Sequence, residues 1–130
     1  MHTIFALAAG LFLAAAPLSA HHGIPSVFDT AHPIILKGNV TKFSFTNPHC
    51  QILFDVKDSR GSVAHWIGEM KSPHRFIQAG WNKKRAEEAL KPGTAVTVII
   101  YPGKAGNPVG LVQKILNTKG EPVLAGIDPQ

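Results

Sequence analysis

Between residues 34 and 45 the inward-facing apolar row changes phase. Leu36, Gly38 and Val40 alternate on one face, as a half-buried strand requires, but the next large apolar residues are Phe43 and Phe45. One continuous strand keeps both sets on its core face only by absorbing an extra residue around Thr41-Lys42. A β-bulge does this and tightens the local coil, the device by which a small barrel carries a strand around a corner. The segment therefore calls for a curved sheet.

The segments that follow supply its partners. A second strand over about residues 49–57 sets Cys50, Ile52, Phe54 and Val56 on one face, and a third over about 62–70 sets Ala64, Trp66, Gly68 and Met70 on one face. Asp58-Ser59-Arg60-Gly61 between them is a turn closed by glycine. Both apolar rows must share a face, and a type I turn bulged at Gly61 satisfies this by setting Val56 opposite Ala64, Phe54 opposite Trp66 and Cys50 opposite Met70. The other face then pairs Asp55 with His65, Leu53 with Ile67 and Gln51 with Glu69, with His49 diagonal to Glu69.

Ser72-Pro73 starts a short helix that ends by Gly80, and residues 82–90 read as a second helical stretch. Lys91-Pro92-Gly93 breaks it. The β-branched run 94–101 and the run 110–117 are the fourth and fifth strands, with a short pairing near 122–124. Three antiparallel strands, a helical connection and two more strands predict an all-β fold with a short helical insertion. That is a small five-stranded OB-like Greek-key barrel, ranked above an open α+β sandwich.

Ahead of this domain, Ile4 to Ala16 is an apolar run too short to span a bilayer, and Leu18-Ser19-Ala20 is a small-residue exit. Together they read as a secretory signal cut after Ala20, although Met1-His2-Thr3 carries no Lys or Arg. A retained N-terminal anchor is the competing reading. The organisation is then a signal peptide at 1–20, an irregular arm at 21–33 broken by Gly23, Pro25 and Pro33, the barrel at 34–124 and a loose tail at 125–130. The destination is the periplasm or the exterior, with no membrane span after cleavage.

Cleavage leaves 110 of the 130 residues, enough for one core, and keeps the whole formal charge of +5. That charge suits anionic surfaces but does not point to nucleic acid. Cys50 is the only cysteine, so no internal disulfide forms, and it is expected as a buried apolar residue.

Several phrases occur together: His21-His22-Gly23, Phe28-Asp29, the run 38–43, Thr46-Asn47-Pro48-His49, Trp66 with Glu69, Gly80-Trp81, and Leu90-Lys91-Pro92-Gly93. In these the chain resembles a family of small secreted bacterial proteins, a domain of unknown function that pairs a post-signal His-His with a later Asn-Pro-His. The resemblance covers nearly all of the mature chain and implies no activity. The chain departs from it in a longer stretch at 82–89 and in Gly23, where a serine is usual.

Six histidines survive cleavage. A terminal His21 would offer an α-amine and a ring nitrogen, and with the His49 imidazole this donor set suits Cu(II) in tetragonal geometry. His22 is an alternative ligand, and Asp29, Asn47 or Glu69 are candidates to orient a ligand from outside. Against this, the His-His is an exposed arm and His49 merely ends a strand. A different reading makes the domain an interaction module for a protein or small ligand, using an exposed Leu53–Ile67 pair on the outer face of strands two and three, with no metal. His65 opposite Asp55 is expected as a surface ion pair, Trp66 as core, Trp81 as packing over a barrel end, and His32 and His74 as solvated. Catalytic motifs are lacking: there is no Gly-x-Ser-x-Gly, phosphate loop or His-Glu-x-x-His. The sequence thus favours a binding protein over an enzyme. A copper-dependent oxidase would need an open coordination position and a cleft.

Overall fold

The computed structural model describes residues 23–127. The expected signal peptide, His21, His22 and the last three residues lie outside that span. Strand β1 (Ile34–Ser44) pairs with β2 (Gln51–Lys57) through its second half and with β4 (Ala95–Pro102) through its first half. Its register against β2 slips between Val40 and Lys42, leaving Thr41 unmatched where the apolar row changes phase. The bulge lets Val40 and Phe43 both reach the core, at 2% and 7% exposure.

Strand β3 (Val63–Glu69) returns along β2 in the register expected from the turn, Asp55 opposite His65, Phe54 opposite Trp66, Leu53 opposite Ile67 and Gln51 opposite Glu69. Gly61 takes φ of +83° at the turn, a conformation that glycine adopts without strain. Strand β5 (Val109–Leu116) pairs antiparallel with β4 and closes the sheet by a short parallel seam with β3. The result is a closed five-stranded mixed barrel in the order β3-β2-β1-β4-β5, the OB-like Greek key, with a two-residue β6 (Pro122–Val123) added beside β5.

Three short helices among the described residues complete it. In the arm, expected to be irregular, Ile24–Val27 forms one turn, α1, with Pro25 in its first turn, where a missing N–H costs nothing. The β3–β4 connection carries α2 (Pro73–Gln78) and α3 (Lys83–Ala89), the latter capped by the Asn82 side chain accepting from the Arg85 N–H at 2.9 Å. Phe76 of α2 is fully buried and meets Phe43 and Phe45 at centroid distances of 6.1 and 5.8 Å, while Ala86 and Leu90 are also fully buried. The helices therefore extend the barrel core (Ile52, Phe54, Val98, Ile100). Trp66 stacks on Phe54, and Trp81 donates from Nε1 to the Ala125 carbonyl at 3.0 Å under the Arg85 guanidinium. Among the described residues no helix is long and apolar enough to cross a membrane.

Candidate functional site at the His49 groove

His49 sits just before β2, after the Asn47–Pro48 turn, and its side chain is exposed. The backbone beside it is fixed: the Cys50 N–H donates to the Lys71 carbonyl and the Met70 N–H to the Cys50 carbonyl, each at 2.9 Å. Cys50 points into the core with no exposed surface, and burial pushes its thiol up to about 11. His49 and Cys50 therefore face opposite ways and form no nucleophile pair.

The arm is tied to the barrel beside this point. Phe28 bridges to Gly103, the Asp29 N–H donates to the Pro102 carbonyl, and the Lys104 N–H donates to the Val27 carbonyl, the last two at 2.9 Å. The Lys104 ammonium also donates to the Pro25 carbonyl at 2.5 Å. These bonds seat α1 against the mouth of the barrel. The outcome is a groove of about 540 Å³ into which Ile24, Val27, His49, Glu69 and Met70 all face. A smaller hollow of about 290 Å³ adjoins it, bounded by Ile24, His49, Met70, Lys71 and Arg75. His49 thus borders one hollow lined also by Glu69 and another lined also by Lys71 and Arg75.

Glu69 accepts from the Gln51 side-chain amide at 2.7 Å, which holds its carboxylate at the groove. Asp29 lies elsewhere. It accepts from His32 Nδ1 at 3.0 Å, so His32 is paired with a carboxylate, and this hydrogen bond is the largest cause holding the Asp29 carboxyl below its ordinary pKa. Asn47 is exposed in the turn two residues before His49. Among the described residues no three His, Cys, Asp or Glu side chains gather to hold a metal ion by themselves.

Leu53 and Ile67 face each other across β2 and β3 as expected, but they are half-buried where exposure was expected. Each has a neighbour on its far side: Ile67 stands next to Val109 across the closing seam, and Leu53 next to Lys42 of β1. Among the described residues the exposed large apolar side chains are Ile24, Val27, Ile35, Val63 and Ile77. His65 donates to Asp55 at 2.6 Å as the register implied, and both groups are open to solvent. A larger open hollow of about 740 Å³, with Lys37, Asn39, Asp55 and Lys57 on its wall, shares no residue with the His49 groove.

Two contributors to the groove escaped the sequence reading. Met70 was counted only as the last member of an inward row. Lys104 lies in the β4–β5 loop, and no local pattern links it to Pro25, 79 residues earlier.

A family model described as a family of unknown function (DUF6152) matches residues 9–113, a span that includes His21, His22 and every groove residue named above. No curated protein and no solved structure gives a match.

Proposed function

This chain belongs to the DUF6152 family of unknown function, and from that premise we propose that it is a secreted or periplasmic copper-binding protein without catalytic turnover. The observation that carries the reading is that Ile24 and His49 line the same two hollows. His21 is three residues before Ile24, and three extended residues reach at most about 10 Å. A terminus freed by cleavage after Ala20 would lie that short a chain length from a residue that shares the groove with His49, which supports the reading. Its amine and imidazole, with the His49 imidazole, make a nitrogen set of the kind Cu(II) prefers, and His22 is the alternative donor. Glu69, already held by Gln51, is the group placed to orient a ligand by hydrogen bonding. The competing interaction-module reading is less supported because Leu53 and Ile67 are half-buried.

The test is Cu(II) titration of protein processed in its host, the terminus checked by mass spectrometry. One-to-one binding is expected to weaken at least about tenfold in His21→Ala, in His49→Ala, and when one residue precedes His21 in a His22→Ala background. Binding that survives both alanine variants would overturn the reading.

A further inference from the structure

We propose that the groove beside α1 binds a free straight-chain carboxylate, a fatty-acid anion of medium length, with its alkyl chain along α1 and its head group against Lys71 and Arg75. This ligand needs no metal and is independent of the copper reading.

The two hollows form one continuous space, since Ile24, His49, Met70 and Leu111 border both. Their remaining walls differ in kind. The larger hollow, about 540 Å³, adds Val27, Phe28 and Val109, and its size is that of a small-molecule site. The smaller, about 290 Å³, adds Lys71, Ser72 and Arg75. A mainly aliphatic trough therefore ends at a pair of cations.

Both parts have surface left to cover. Ile24 and Val27 lie three residues apart on α1, hence on one face, border the larger hollow and remain 44% and 47% exposed. Apolar surface left open around a concavity is the mark of a binding groove. The ion pairs among the described residues join His32 to Asp29, His65 to Asp55, Lys83 to Glu87 and Lys91 to Glu88. Among those residues Lys71 and Arg75 therefore have no carboxylate partner, although Lys71 is half-buried. Ser72, which precedes α2, makes no capping bond with its hydroxyl and is free to donate in the same hollow.

Glu69 sets the direction of the ligand. It borders only the larger hollow, where Gln51 holds it, so an anionic head is repelled from that end and attracted to Lys71 and Arg75. The alkyl chain is left to the aliphatic walls.

The experiment is calorimetric titration of the processed protein, freed of metal with a chelator, with hexanoate, octanoate and decanoate below their micellar concentrations, and with octanol. Each added methylene is expected to tighten binding about threefold. Octanoate is expected to bind about fivefold or more tighter than octanol. Lys71→Gln with Arg75→Gln should lower octanoate to the affinity of octanol and leave octanol within about twofold. Ile24→Asn with Val27→Asn, both at exposed positions, should weaken octanoate and octanol alike by about tenfold, with urea unfolding unchanged. Affinity that ignores chain length marks an adventitious anion site on the two cations and overturns the proposal. Octanol bound as well as octanoate, or no binding of millimolar decanoate, overturns it too. Adsorption to phosphatidylcholine vesicles that is lost in Ile24→Asn with Val27→Asn, without binding of free acid, assigns the surface to a membrane and also overturns it. With the metal removed, none of these outcomes bears on the copper reading.

Discussion

Cys50 directly precedes β2 and exposes none of its surface, so its thiol is held by the core. Burial disfavours the thiolate and raises the group from 9.0 to about 11 in the folded chain. The consequence for stability has a definite sign. Below pH 9 the thiol is neutral in both states and contributes no pH dependence. As the pH rises past 9 the unfolded chain loses the proton while the folded chain keeps it, and stability falls until the folded thiol also ionises near 11. At 1.36 kcal/mol per unit the loss is at most roughly 2–3 kcal/mol. Urea unfolding of wild type and Cys50→Ala at pH 7 and pH 11 checks this. The wild type is expected to lose more stability than the variant by that amount, and equal losses would show that the thiol is not the source.

The barrel closes at an element too short to be noticed in a sequence. The parallel seam between β3 and β5 holds three residue pairs, and its middle pair is Gly68 opposite Gly110. A Cβ on Gly68 would come within 2.5 Å of Val112 Cγ2 and 2.8 Å of Ile52 Cγ2, both tips of stiff β-branched side chains. A Cβ on Gly110 would come within 2.6 Å of the Tyr101 carbonyl oxygen, which is backbone and has no rotamer to change. Gly68→Ala is expected to cost about 1–3 kcal/mol and Gly110→Ala more, as read by urea unfolding. The reverse order would mean that β5 shifts more easily than the side chains around Gly68 repack. Strands β1 to β3 were readable because their information is local: a phase shift marks the bulge, and one turn sets the whole β2–β3 register. The seam joins residues some forty positions apart, and its glycines look like ordinary members of alternating rows.

At the scale of the molecule, the groove exists because the arm returns to the β4–β5 loop. His49 and Glu69 were visible as a diagonal pair from register alone, whereas their meeting with α1 depends on Phe28, Lys104 and Pro25, contacts between distant parts of the chain. The expected outer-face pair of Leu53 and Ile67 is half-buried, and for Ile67 the long-range β3–β5 seam is what sets Val109 beside it. If the arm acts as a tether for a terminal chelate, its length and its terminus must matter to different extents. Three glycines inserted between His22 and Gly23 keep the free amine and imidazole of His21 and about double the distance along the chain from His21 to Ile24. Effective concentration falls roughly as the three-halves power of tether length, so Cu(II) affinity is expected to drop only about threefold. One residue added before His21, with His22 changed to alanine so that no third-position histidine forms a new chelate, leaves the tether unchanged but removes the amine from the five-atom reach of its own ring, and is expected to weaken binding far more. Urea unfolding should find the barrel equally stable in both variants. If the insertion and the extension weaken Cu(II) binding equally, the arm's position is what matters and His21 is not a chelating terminus.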